Sequence, residues 1–471
     1  MVKMLHEYKA LTKFIKQNPC FCINQNKLFC NVCDVERRYS PGEGTRDLER
    51  HLRSLSHKSS TERKTIQTRL QLERHFDSNK DSFHSEILEL FVKMNIPIYK
   101  LQDENLKTFI SKYTGKKLLD ESMYRKAFLE KVFTKKQNEV RDLLKNENIY
   151  LMFDETTDAS GRYILNILSG ICSPSQRERS YLIKTVELDK TNALNVNTEI
   201  LEVLNWIYNS DVSKFSNVKL LVSDGAPYAV KAAKLLKELM PKVLHVVCLC
   251  HNLHNLCESI RSDSPNLNLF VAFMKKVLIK NYSNRNRFAE ITNLSIPKFP
   301  IITRWGTWID FSVWIFNNLE SIKKFIHESD FEQQNQDNML EIIESDTFER
   351  EITLVKEHSF LTNAITTLEN GNLSTIDQIS KLKYVLEKIN NQKKYSDRLG
   401  NILLKNPDLN YFMNFNEMKI TEQEKCFSYV PLTSVDVERS FSKFKHIFSD
   451  QRRSMKIENL EMYLTLNFNE N

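Results

Sequence analysis

Residues 149–171 read IYLMFDETTDASGRYILNILSGI, and they point to a sheet-based fold. Five apolar residues, Ile149 to Phe153, run straight into Asp154, the pattern of a buried strand that delivers a carboxylate to its end. Asp158-Ala-Ser-Gly161 supplies turn residues. Residues 163–171 form a second β-rich run, and 181–188 alternate well enough to be a third strand. Three strands with short links predict an antiparallel meander.

Beyond the meander, Leu194, Leu201, Leu204 and Ile207 fall at helical spacing within 193–208. Residues 218–222 are another apolar run, closed by Ser223-Asp224-Gly-Ala-Pro, so a second acid ends a strand. A helix over 226–240, stopped by Pro241, leads to a strand over 243–248 and then to a helix bearing His251, His254 and Leu256. The predicted order is β-β-β-α-β-α-β-α, with Asp154 and Asp224 each at the carboxyl end of a strand. If those strands are neighbours, the two carboxylates converge and repel unless a cation lies between them. Oxygen ligands point to Mg2+.

At 471 residues the chain is long enough for two to four domains with real cores. No apolar run nears the ~18 residues of a membrane span and the first residues lack a signal-peptide apolar region, so no membrane partner is expected. Nine cysteines, an odd number in CxxC and CxxH contexts, suit a reducing compartment better than a disulfide framework. The net charge of +7 is uneven: residues 1–80 hold 16 Lys+Arg and 9 Asp+Glu, which leaves 51 of each elsewhere. A local basic excess beside metal-ligand spacing favours a phosphate backbone as partner; a solvated basic tail is the plainer reading.

That spacing is Cys30-x2-Cys33-x17-His51-x5-His57, the ligand set of a closed tetrahedral Zn2+ site. Phe29, Tyr39 and a Pro41-Gly-Glu-Gly44 turn precede a helix whose Leu48, Leu52 and Leu55 make an apolar stripe. Histidines six apart lie about 240° from each other's face on an ideal helix, so the helix must break near Ser54 to Ser56. Zinc would supply much of the folding free energy of so small a unit. Arg46, Arg50, Arg53 and Lys58 lie on or beside that helix, where they would face phosphate or the major groove. Cys20 and Cys22 read as packing or spare thiols.

The segments KLFCNVCDVERRY…RHLRSLSHKSS and ILELFVKMNIPIYKLQDENLKTFISKY resemble the CGG triplet-repeat-binding proteins, nuclear DNA-binding proteins of transposon origin. In the second segment Ile87, Leu90, Phe91 and Met94 also fall at amphipathic spacing and could simply pack. The rest of the chain resembles the hAT transposase superfamily, in which a BED-like N-terminal finger is usual. Four motifs carry this resemblance: the Asp154 strand, VSDGA with Asp224, Cys248-x2-His251 in HVVCLCHNLHNL, and PLTSVDVERSFSKFKHIFSDQRR. The resemblance implies an RNase H-like α/β core with a large all-α insertion, preceded by a small zinc finger and a helical segment. The corresponding boundaries are 1–75 for the basic region, with the finger at about 27–60, 76–145 for the helical segment, 146–265 and 426–471 for the core, and 266–425 for the insertion.

It also implies that Glu438 completes a DDE triad with Asp154 and Asp224, holding catalytic Mg2+ for cleavage and strand transfer. Val437, Phe441, Phe444 and Phe448 form an apolar stripe that would dock the Glu438 helix on the sheet, after a cap at Thr433 or Ser434. Between the second and third acids lie 213 residues, which read as helices over 269–280, 308–328, 339–368 and 376–389, with a polar break at 333–338. In ThrArgTrpGlyThrTrp, residues 303–308, the family's Arg-Trp pair maps onto Arg304 and Trp305, suited to phosphate contact and base stacking; Trp308 and Trp314 read as core. Cys248 and His251 read as packing and active-site support, the alternative being a second zinc site with Cys250, His245, His254 or Cys257. Ile457, Leu460 and Leu464 resemble the family's dimerisation region. The expected setting is the nucleus and the expected partners are double-stranded DNA and a second copy, with no small-molecule substrate. A domesticated, non-catalytic transcriptional regulator is the alternative.

Overall fold

The computed structural model describes residues 11, 14–24, 27–37, 39, 45–60, 78–280, 282–301, 304–329, 333–406, 408–415, 421–448 and 455–470. The Pro41–Gly44 turn therefore lies outside the described residues. The chain forms two compact units, Met1–Phe91 with Ile96–Val132, and Val92–Asn95 with Phe133–Asn471.

In the first unit, β1 (Phe21–Asn24), β2 (Lys27–Cys30) and β3 (Val35–Arg37) form an antiparallel sheet, and α1 (Arg46–Arg53) follows. Leu11, Phe14, Phe21, Leu28, Cys30 and Leu48 make its small core. Leu52 packs against that core, but Leu55 is 85% exposed, because α1 ends at Arg53 and the stripe loses its register there. In α2 (Ser78–Lys93), Ile87 and Phe91 are buried as expected, whereas Leu90 and Met94 are exposed. The buried arc runs through Leu88 instead, and Leu90 lies about 160° from it. Helix α3 (Glu104–Thr114) is capped by the Asp103 carboxylate, which accepts from the N–H groups of Asn105 and Leu106, and ends on Gly115 at φ +69°.

The second unit is built on a sheet of β4 (Ile149–Thr157), β5 (Tyr163–Ile171), β6 (Tyr181–Leu188), β7 (Val218–Ser223) and β8 (Leu244–Val247), in the order β6-β5-β4-β7-β8. The first three strands are antiparallel, while β7 runs parallel to both β4 and β8. Helices α4 (Ala193–Tyr208), α5 (Pro227–Leu239) and α6 (Leu249–Ser262) alternate with the later strands. On one face Leu151, Phe153, Leu165 and Ile167 pack with Val203, Leu204, Ala232 and Leu236. Against β4, β5 and β6 also pack α7 (Val435–Ile447) and α8 (Ile457–Phe468). Asp154 does not end β4: its antiparallel pairing continues to Thr157, whereas the parallel register with β7 stops at Phe153 opposite Ser223.

The segment between α6 and α7 is mostly helical where described, residues 293–301 being a non-helical stretch, and it differs from expectation at three places. The expected helix over 308–328 is two, Thr307–Asn317 and Leu319–Glu328, and 339–368 is three, broken near Ser345 and Ser359. Residues 333–338 do not break the chain but open the helix Gln333–Ile343, since Gln and Asn carry only a small helix-propensity penalty. The tail differs too: Leu460 and Leu464 are fully buried in the chain's own fold, so they are not available to a second copy.

Glu461 on α8 is held in the same interface, where its Oε1 accepts from the Thr185 N–H at 3.2 Å. Burial lifts its carboxyl to about 7, against the pull of that bond and of Lys184. The proton is thus bound more tightly folded than unfolded; this stability is fully present below about pH 4.5 and is lost as pH rises through 7. Glu461→Gln keeps an acceptor and removes the charge. It should stabilise the protein at pH 8 by on the order of 2–3 kcal/mol and leave pH 4.5 nearly unchanged. Thermal unfolding at the two pH values checks this, and an equal shift at both would contradict it.

Candidate functional sites

The first candidate site lies in the finger. A CxxC turn after β2 offers Cys30 and Cys33, α1 offers His51, and Ser54, with ψ 143°, interrupts the helix before residues 55–60 resume it. That break turns His57 back toward His51. The four ligand atoms all lie within 4.8 Å of one another. Cys30 Sγ is 3.5 Å and Cys33 Sγ 3.3 Å from His57 Nδ1; Cys33 Sγ is 3.6 Å and His57 Nδ1 3.1 Å from His51 Nε2. Tetrahedral zinc bonds imply S···N edges of ~3.5 Å and N···N edges of ~3.3 Å, so the donor set fits the ion. Burial lowers the His51 pKa and so favours the neutral imidazole that a metal needs. Arg46, Arg50, Arg53 and Lys58 are all exposed, and the three arginines fall within about 60° of one another around α1, opposite Leu48 and His51.

The second candidate site lies at the edge of the second unit's sheet. Three segments distant in sequence meet there: Asp154 on β4, Asp224 directly after β7, and Glu438 in the first turn of α7. Oxygen atoms of Asp154 and Glu438 and a ring nitrogen of His251 lie within 4.8 Å of one another. Asp224 follows Ser223, which pairs with Phe153, so the strand register sets the two aspartates side by side. Burial, then the Asp224 and Glu438 charges, push the Asp154 carboxyl well above its usual range. Burial also raises Asp224 and Glu438. The acids resist ionising together.

His251 is their cationic neighbour, with Nε2 3.8 Å from Glu438 Oε1. Burial opposes its charge, but Cys248, Asp154 and Glu438 outweigh burial and lift its pKa to about 10. Burial likewise opposes the Cys248 thiolate, yet Cys250 and His251 bring that thiol well below its usual value. Cys248 also anchors α7: its Sγ accepts from the Ser434 N–H at 3.2 Å, and Leu249 N–H donates to the Leu432 carbonyl at 3.0 Å. Ser434 is the residue before α7 but its hydroxyl makes no cap bond. Among the described residues, Cys250, His245, His254 and Cys257 form no second Cys/His metal group. The ring of Trp305 meets His251 edge to face at 4.9 Å, and Arg304 beside it is exposed. Trp308 is buried, and Trp314 stacks on Phe311.

Sequence reasoning identified the acids but missed what steadies them. Buried Asn166 on β5 donates to Ser440 Oγ at 2.7 Å and accepts from Thr185 Oγ1 at 2.8 Å, tying α7 to two strands. Asp436 accepts from Arg177, Ser180 and Arg439 and fixes the start of the same helix. An Asn amid an apolar strand was the available signal. Asn166→Leu strands the Thr185 hydroxyl and should cost about 1–3 kcal/mol in thermal unfolding. Little or no loss would mean that α7 is held by its phenylalanines alone: Phe441, Phe444 and Phe448 are all buried.

Residues 119–281 match a family model described as a domain of unknown function, DUF659. The match takes in Asp154, Asp224, Cys248 and His251, and stops short of Glu438. No curated protein matches the chain.

Proposed function

We propose that the protein is a nuclear, DNA-processing protein of hAT transposase type, cutting and joining DNA by metal-dependent phosphoryl transfer. The DUF659 domain it matches is a hAT-transposase-associated domain, and the Cys30-Cys33-His51-His57 group suits a BED-like finger. The carrying observation is that Asp154 and Glu438, 284 positions apart, come within 4.8 Å of each other beside His251, with Asp224 next in register and near enough for its charge to act on Asp154. A strand order of three antiparallel strands followed by two parallel ones, with helices on both faces, is consistent with an RNase H-like core.

Asp154, Asp224 and Glu438 would hold Mg2+, since three carboxylates whose pKa values are raised by burial, with repulsion from a neighbouring acid added at Asp154 and Glu438, are a donor set that a hard cation relieves. When bound, the ion supplies Lewis acidity at a phosphoryl oxygen and at the attacking hydroxyl. His251 counters the carboxylate charge and can donate to phosphate, Trp305 offers a face to an unpaired base, and Arg304 can contact the backbone. Arg46, Arg50, Arg53 and Lys58 would grip duplex DNA through a zinc-folded finger. Two DNA ends call for a dimer or larger oligomer, through a surface other than Leu460 and Leu464.

Mg2+-dependent nicking of duplex DNA carrying the inverted repeats of a matching transposon end is the test. A domesticated, non-catalytic DNA-binding regulator is the second reading. The His251–Glu438 contact favours it, because an imidazolium already supplies the counter-charge and the site can persist without metal. DNA binding without nicking in Mg2+ or Mn2+ would select that reading. The finger's resemblance makes a CGG-repeat duplex the first binding probe.

A further inference from the structure

A groove of about 800 Å³ opens beside the acidic cluster. Its lining begins at Gly225, next to Asp224, and includes Asn252, next to His251. From there it runs between the outer turns of α5 and α6 and the helix Lys393–Leu403. Two successive turns of α5 present Lys231 and Lys234; the opposite wall presents Arg398 and, just past the helix end, Lys405. All four are exposed. Among the described residues none of these lysines has an ion pair, and Arg398 donates there to the uncharged Ser259 hydroxyl alone, at 3.1 Å. Glu258 is the one acid among the described lining residues, and Arg261 already pairs with it at 3.4 Å.

A row of four unpaired cations on both walls of an open groove that starts at a cluster of carboxylates is not explained by folding. Unpaired surface cations gain nothing from facing one another across a gap. A polyanion laid along the groove would be held by all four at once, and its far end would be delivered to Asp224 and Glu438. Amide and hydroxyl groups from Asn255, Ser259 and Asn401 lie between the cations, as hydrogen-bond partners for phosphate and sugar oxygens.

We propose that this groove is a track for the sugar–phosphate backbone of duplex DNA, aligning it for the acidic cluster independently of base sequence. The proposal rests on the DNA-processing reading above but predicts a different measurement. Binding of the full-length, zinc-loaded chain to a fluorescent 30-base-pair duplex is followed by anisotropy over a salt series, for three proteins. One is wild type, one carries Lys231→Gln, Lys234→Gln, Arg398→Gln and Lys405→Gln, and the third carries Lys190→Gln, Lys242→Gln, Lys383→Gln and Lys388→Gln, exposed positions outside the groove.

The groove variant should lose roughly 10–100-fold in affinity near 0.15 M salt, with a log–log salt slope shallower by ~3. The control variant should match wild type. A second variant, Glu258→Gln, should bind several-fold more tightly. A groove variant with wild-type affinity and slope, an equal loss in the control, or a wild-type protein that binds no duplex would each overturn the proposal. The two readings separate cleanly: nicking by wild type with no groove dependence sinks the track and keeps the nuclease. Groove-dependent binding without nicking does the reverse.

Discussion

Asp154→Asn is expected to abolish Mg2+-dependent DNA nicking, with a loss of about 10³-fold or more, while the protein stays folded. A divalent ion contributes several kcal/mol of charge stabilisation at a phosphoryl oxygen, and each 1.4 kcal/mol or so is a factor of ten in rate. Asn keeps the shape and removes the charge that would hold the ion. Stability should move the other way. Because burial and Asp224 raise the Asp154 carboxyl well above its usual range, ionising it at neutral pH costs stability, which the substitution returns. The signature is therefore lost cleavage with an unchanged or higher unfolding temperature. Nicking that survives Asp154→Asn, or a protein that fails to fold with it, would remove the carboxylate cluster from the mechanism. Asp224→Asn and Glu438→Gln should behave alike if the three act as one group.

Loss of zinc should be the largest effect on the first unit. Among the described residues the finger's buried core is six side chains, too little apolar surface to order such a unit unaided, whereas structural zinc supplies on the order of 10–16 kcal/mol in comparable fingers. Cys33→Ser removes the thiol nearest to His57 and one of the two close to His51. The variant should carry no stoichiometric zinc by elemental analysis, expose the finger to limited proteolysis, and lose most affinity for duplex DNA. The unit Val92–Asn95 with Phe133–Asn471 should resist protease as before. One equivalent of zinc retained by Cys33→Ser would show that the four side chains are not the ligand set. In wild type, a strong chelator should reproduce the same proteolytic pattern.

Local signals account for what the chain made readable. Strands β5 and β6 and helix α4 fall on their expected residues, because alternation of apolar side chains for the strands and helical spacing for the helix are written in consecutive positions. Asn192 adds a cap, accepting from the N–H groups of Leu194 and Asn195, and Asn209 ends α4 at φ 51°. The helix break between His51 and His57 was equally readable, since six residues cannot bring two histidines to one point on a continuous helix. Leu55 and the tail show the limit. An apolar residue demands cover without naming what covers it: Leu55 got none, and Leu460 and Leu464 found β6 and α7 rather than a second copy.

From its order of residues alone the chain specifies many of the elements, two acids at the ends of apolar runs, and the spacing of four side chains that could hold zinc. It could not specify that β4 pairs with β7 so that Phe153 faces Ser223, or that α7 returns across the 283 intervening residues to bring Glu438 beside Asp154. Nor could it place His251 as the charge between them, or line up four cations from α5 and a distant helix along one groove. Periodicity reports only on neighbours a few positions apart. Which of several apolar faces dock, and in what register, depends on packing and on the entropy of closing long loops, and those are properties of the whole fold.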